Sequence, residues 1–152
     1  MRKLFLLALA LPLASFAQDK PNFSGAWELQ VAKSDFGPLP APESQVSVID
    51  HKEPKLQVKV TSKTPQGEQT STRNLTTDGE ENTNQVGPNT WKSKTHWEEK
   101  ALVTESNFET QGNKIRIKDR WTLADDGNSF TSNRELASDM GEAQQKLVFA
   151  KK

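Results

Sequence analysis

An all-β fold, an antiparallel up-and-down meander of about ten strands closed into a barrel, follows from three observations. From Asn22 onward, short alternating segments are separated by turn residues about every 10–12 positions, the spacing of a sandwich or barrel, and helical periodicity is absent. Folding each intervening turn as the tightest hairpin aligns Lys94, Glu105, Lys118, Glu135 and Lys146 across five consecutive strands with opposite charges facing. The same folding sorts apolar and charged side chains onto opposite faces, and a one-residue slip would turn a hydrophobic set outward.

The N-terminus is read apart from the fold. Arg2 and Lys3 precede an apolar run from Leu4 to Phe16, and Ser15 and Ala17 stand where a signal peptidase cuts. Residues 1–17 are therefore expected to be a secretory signal peptide, and residues 18–152 a single β-barrel domain, exported to the periplasm or the extracellular space. The run is shorter than the ~20 residues of a spanning helix, and no later stretch is as apolar, so no membrane span is expected. The chain has no cysteine, which leaves neither a lipobox anchor nor a disulfide framework. Residues 1–17 hold two of the 20 basic residues and none of the 20 acidic ones, so the remainder carries a net charge of −2. No basic stripe argues for nucleic acid. A hydrophobic content of 33% suits a shell around a polar interior better than a solid core.

The strands are placed near 23–32, 44–51, 55–64, 68–77, 80–87, 90–98, 101–110, 113–124, 129–137 and 143–150. Between the first two runs a strap from Lys33 to Glu43, stiffened into extended, non-helical backbone by Pro38, Pro40 and Pro42. The second and third strands meet around Glu53-Pro54, where an even register calls for a bulge. Tight turns at Gln66-Gly67, Asp78-Gly79 and Pro88-Asn89 carry the ladder through strands three to six. Glu99-Lys100, Gln111-Gly112, Asp126-Gly127 and Met140-Gly141 carry it to the end, the Asp-Gly pair being one that type I′ hairpins favour.

The start of the first strand, Phe23-Ser24-Gly25-Ala26-Trp27-Glu28-Leu29, followed by Ser34 and Phe36, resembles the Gly-x-Trp signature of the calycins, the lipocalin and fatty-acid-binding barrels. The resemblance covers about 15 residues and implies a calycin-like barrel around a small apolar ligand, with Trp27 plugging one end. Fatty-acid-binding proteins insert two helices between strands one and two, where this chain has its proline strap. They also use interior arginines to hold a carboxylate.

Because the strands run alternately up and down, each inward residue has a height as well as a face. One end gathers Trp97, Trp121, Leu102, Leu123, Phe130 and Phe149, joined by Trp27 as a barrel plug. At the other, Trp91, Phe108, Ile115, Val86 and Val60 form a sparser rim, with Phe36 and Leu39 of the strap lying over it as a lid. Between them lies a polar band: Asn82, Asn84, Arg73, Ser93, Thr95, Thr104, Ser106, Asp119, Ser132 and Arg134. The candidate ligand-binding residues are Arg73, Asn84, Trp91, Ser93, Thr95, Thr104, Ser106, Asp119 and Arg134. An unsatisfied buried polar group costs about 1–3 kcal/mol, so these groups pair with one another, hold water, or bind something. Asp119 faces Arg134 across a hairpin and reads either as a satisfied ion pair or as part of an anion anchor. Two arginines meet one clearly inward acid, since Glu80 shares the parity but sits at a strand end.

The leading expectation is a binding module without cofactor or metal, its partner a small amphipathic molecule, neutral or anionic. A structural or protein-interaction barrel of the cell envelope, its lumen filled by its own side chains, is the alternative. An isomerase or dehydratase using Asp119 as base is the third reading. Enzyme chemistry lacks its usual parts, because cysteine and tyrosine are absent and the two histidines, His51 and His96, lie apart.

Overall fold

The computed structural model describes residues 19–152, and the expected signal peptide lies outside them. Ten antiparallel strands follow in order: β1 (Gly25–Leu29), β2 (Ser44–Lys52), β3 (Lys55–Thr64), β4 (Gly67–Thr76), β5 (Glu81–Val86), β6 (Asn89–Glu98), β7 (Ala101–Thr110), β8 (Asn113–Leu123), β9 (Ser129–Ser138) and β10 (Gly141–Lys151). They form one rolled sheet of order β4-β3-β2-β1-β10-β9-β8-β7-β6-β5. The first and last strands zip together, with Trp27 opposite Lys151 and Leu29 opposite Phe149. A nearly closed barrel results, and its seam lies between β4 and β5.

The expected ladder through Asp78-Gly79 is therefore corrected. The chain leaving β4 is captured elsewhere: Thr77 N–H donates to the Pro54 carbonyl and Gly79 N–H to the Thr95 carbonyl, both at 2.8 Å. Side chains replace the missing ladder. Asn84 Oδ1 accepts from Asn74 N–H at 2.8 Å while its Nδ2 donates to the Asn74 carbonyl at 3.0 Å, and Asn82 Oδ1 accepts from Thr76 N–H at 2.7 Å.

Three hairpins turn one residue earlier than expected, at Pro65-Gln66, Gly87-Pro88 and Asp139-Met140. In two of them a hydroxyl sets the turn. Thr64 Oγ1 accepts from Gln66 N–H and donates to the Gly67 carbonyl, and Ser138 Oγ does the same with Met140 and Gly141. In the third, Gly87 supplies a positive φ of 57°. Each change moves the pairing by two residues, so inside and outside are preserved. The charge row holds at Lys94–Glu105, Glu105–Lys118 and Lys118–Glu135 but breaks at its last step, where Glu135 faces Gln144 instead of Lys146.

The β2–β3 hairpin needs no bulge. Its two-residue turn, Glu53-Pro54 with a cis peptide bond, puts His51 opposite Leu56 and Ile49 opposite Val58. Ile49 and His51 are buried while Val48 stands exposed outside, so β2 turns a histidine inward and a valine outward. The first strand ends at Leu29, short of the expected 32, because Val31–Lys33 form one 3-10 turn.

That turn starts the strap, which is fastened to β10 before it crosses the mouth. Gln30 N–H donates to the Val148 carbonyl at 2.8 Å, Val148 N–H donates to Ser34 Oγ at 3.0 Å, and Asp35 forms a two-bond bridge with Lys146. Gly37, at φ 60°, lies so close to the Gln144 carbonyl that a Cβ would sit 2.5 Å from it. Only the proline-rich remainder spans freely, and it rejoins the barrel where Glu43 N–H meets the Lys63 carbonyl at 2.8 Å.

Candidate functional site

The two ends of the barrel differ in kind. At the closed end Phe23, fully buried, sits among Trp97, Trp121, Phe130 and His51 with ring centroids 5.6–6.3 Å away. Trp27 lies edge-on to Phe130 at 4.9 Å and donates from Nε1 to the Phe23 carbonyl at 2.8 Å. The three expected plug residues, Trp27, Trp97 and Trp121, thus gather around a phenylalanine that the sequence reading passed over. Phe23 has the parity of Trp27 within the strand expected from residue 23, but β1 itself begins only at Gly25, so the ring at the centre of the plug comes from the segment ahead of the strand.

His51 was missed because it is a polar residue on an inward position. Its Nδ1 accepts from Phe23 N–H at 3.2 Å, which leaves Nε2 to donate to Glu53 at 2.7 Å. Glu53 also receives Thr77 Oγ1–H at 2.5 Å and Trp97 Nε1–H at 2.9 Å. Partial burial works to raise the Glu53 pKa, but the hydrogen bonds from Thr77, His51 and Trp97 outweigh it and hold the carboxyl below its ordinary value.

Above the aromatics stands the polar band, and its members do point inward. Ser93 and Ser106 share a hydrogen bond at 2.8 Å, as do Thr95 and Thr104 at 3.0 Å. Asp119 Oδ1 accepts from Arg134 Nε at 2.6 Å and from Ser132 Oγ at 3.2 Å. Asn84 is spent on the seam. Most of the band is therefore self-satisfied.

Two groups are not. Arg73 Nη1 and Trp91 Nε1 are buried with no hydrogen-bond partner among the described residues. Both are donors, so what they lack is an acceptor. Arg73 is 9% exposed, and its guanidinium lies 5.4 Å from the centroid of the Trp91 ring. Trp91 in turn stacks flat on Phe108, centroids 4.3 Å apart and planes 4° from parallel. Burial pushes the Arg73 pKa down, Asp119 works against that, and Arg134 adds to it. Glu80 is exposed, so within the band two guanidiniums face one carboxylate.

Two cavities open at the strap end. One, of about 390 Å³, lies under the strap between Phe36, Pro40 and Pro42 on one side and Leu29, Arg134 and Leu147 on the other. The second, of about 510 Å³, is walled by Val60, Ser62, Ser71, Val86 and Trp91 beside the seam. Both fall in the size range of small-molecule pockets. Phe36 covers the first; Leu39, expected beside it as lid, is exposed and lines neither. Among the described residues no group of three or more His, Cys, Asp or Glu could hold a metal ion, and no helix is long and apolar enough to cross a membrane.

No protein-family model matches the chain, and no curated protein sequence matches it. Solved structures do. A secretory abundant heat soluble protein of Ramazzottius varieornatus superposes with a TM-score of 0.64 at 16% identity, over 85% of this chain and 94% of that one. The zebrafish ileal bile acid-binding protein complexed with cholic acid gives 0.57 at 14% identity, over 86% and 98%. Fatty-acid-binding protein 1 of Echinococcus granulosus gives 0.50 at 14% identity, over 85% and 96%. The fold is thus that of the calycin barrels, of the fatty-acid-binding-protein type, as the Gly25-Ala26-Trp27 motif implied.

Proposed function

We propose that the protein is an exported binding barrel, periplasmic or extracellular, that holds a small amphipathic molecule at its strap end with an acidic group directed at the polar band. One observation carries the reading: the band is self-satisfied except for buried donors, and its charged groups sum to one positive charge. An interior that lacks acceptors and an anion is complementary to a ligand that supplies both. The two cavities give the apolar body of such a ligand a place beside Phe36, Leu147, Val60 and Val86. Solved barrels of this fold include one holding cholic acid and one named for fatty acids, both amphipathic acids, and they support the reading by fold alone.

The competing reading, a ligand-free envelope barrel, draws on the serine and threonine pairs that close most of the band on itself. Native mass spectrometry separates the two. Protein incubated with a lipid extract of its native host is expected to retain acidic amphiphiles of small-molecule mass; bare protein at every extract concentration would favour the ligand-free barrel and end the binding proposal.

A further inference from the structure

The seam closes its two edges unequally. β4 runs for ten residues and β5 for six, and the asparagine clasp between them engages only the C-terminal half of β4. Where the clasp acts, it shows which backbone groups face the seam. Asn74 presents both its N–H and its carbonyl to the Asn84 side chain, and Thr76 presents its N–H to Asn82. In an antiparallel strand this orientation recurs at every second residue, so Thr72, Thr70 and Glu68 turn their N–H and carbonyl groups the same way. The residue that continues the alternation of Asn82 and Asn84 is Val86, whose side chain can neither donate nor accept. Among the described residues no strand pairs with this edge of β4.

Nor does the edge carry the usual protections. β4 has no proline, and its register with β3 is unbroken from Gly67 to Thr76. Thr70 and Thr72, both exposed, favour extended backbone. The cavity of about 510 Å³ beside the edge is bounded by Gln69, Thr70 and Ser71 on one side and by the turn at Gly87-Pro88 on the other, with Val60, Val86 and Trp91 as apolar walls. A space bounded on both sides takes one extended segment and excludes the body of a second barrel.

We propose that the free edge of β4, from Glu68 to Thr72, is a strand-addition site for an extended peptide, which pairs antiparallel with it and turns alternate apolar side chains toward Val60, Val86 and Trp91. The Asn84 clasp identifies the partner as a peptide. Its carboxamide accepts from and donates to Asn74 as the backbone of a paired strand would, and the three free residues require the same amide chemistry repeated every two residues, about 6.8 Å. An amphiphile can fill the same cavity but has no such repeat, so pairing along the edge distinguishes the peptide from the ligand of the binding-barrel reading.

Acetylated, amidated heptapeptides Lys-Thr-X-Thr-X-Thr-Lys, with X valine, leucine or phenylalanine, test the proposal by NMR titration and amide hydrogen exchange. At least one should bind with a Kd below about 1 mM and, at saturation, slow exchange at the Glu68, Thr70 and Thr72 amides while leaving β7–β9 unchanged. Methylating the nitrogen of the central threonine, which faces Thr70 in the antiparallel pair, should weaken that peptide about tenfold or more. Thr70→Pro should do the same, and it removes an N–H that the β3 ladder does not use, a position where an edge strand tolerates proline. Dodecanoate, an acidic amphiphile without peptide groups, should leave these three amides unprotected.

Failure of all three peptides to bind would refute the site. So would binding indifferent to the N-methyl group or to Thr70→Pro, or equal protection of the same amides by dodecanoate. Should Thr70→Pro fail to fold, the N-methylated peptide on the wild type decides alone. A dimer that forms with rising concentration in sedimentation velocity and disappears in Thr70→Pro would make a second copy the occupant and refute the peptide. None of these results bears on the retention of acidic amphiphiles, so the binding-barrel reading stands or falls separately.

Discussion

Three donors converge on the Glu53 carboxylate, and they come from three parts of the chain: Thr77 after β4, His51 on β2 and Trp97 on β6. All three favour the ionised form, which is why the carboxyl is held below its ordinary value of 4.5 despite its partial burial. The sign of the pH effect follows from linkage. Because the folded pKa is the lower one, this stabilisation is present above the unfolded value near 4.5 and is lost as pH falls through the folded value. With the Glu53 side chain 43% exposed, solvent screening keeps the effect modest. Glu53→Gln should therefore lower Tm at neutral pH, and the gap between variant and wild type should narrow as the pH is taken below 4.5. Parallel melting curves from neutral pH to pH 3 would show that the carboxylate's charge contributes nothing.

At the scale of elements, the seam is the joint whose strength depends on side chains. Asn84 alone satisfies both backbone groups of Asn74, so Asn84→Ala should cost about 1–3 kcal/mol by urea denaturation, the range for stranded polar groups. Asn84→Asp should fall between, since a carboxylate accepts from Asn74 N–H but donates nothing to its carbonyl. Faster amide exchange at Asn74 in the alanine variant, with β7–β9 unaffected, would locate the loss at the seam; equal acceleration everywhere would deny the seam its separate role. This joint also marks how far sequence reasoning reached. The parity of every strand from β3 to β10 was legible, because an alternating pattern fixes which face is inside whatever the turn does within two residues. Asn82 and Asn84 were legible as inward polar residues, yet nothing in their chemistry distinguished lining a chamber from clasping the neighbouring backbone. The early turns at Thr64 and Ser138 were invisible for a similar reason, since a hydroxyl that closes a turn is indistinguishable by type from one that faces water. Where the site is concerned, the band could be listed from parity, but only side-chain coordinates separate the paired serines and threonines from Arg73 and Trp91.

Taken whole, the molecule divides its labours between its ends. The end plugged by Phe23 is aromatic and hydrogen-bonded through Trp27 and Glu53, whereas the strap end holds the two cavities described and the unpaired donors. Stability and binding should then be separable by mutation, a property that a barrel with one continuous hydrophobic interior would lack. Truncating a fully buried phenylalanine costs about 3–5 kcal/mol, a large part of the margin of a domain this size. Phe23→Ala should lower the stability measured by urea unfolding by that amount, and Phe23→Leu by less, the milder change guarding against outright loss of the fold. Affinity for dodecanoate, measured where each variant is still folded, should stay within about twofold of the wild type, because sites that share no partners behave additively. A Phe23→Leu protein that kept its stability would show that the aromatic plug does not hold the closed end. If it instead lost affinity in step with stability, the polar band would have to be transmitting the state of one end to the other, and the two ends would be one site.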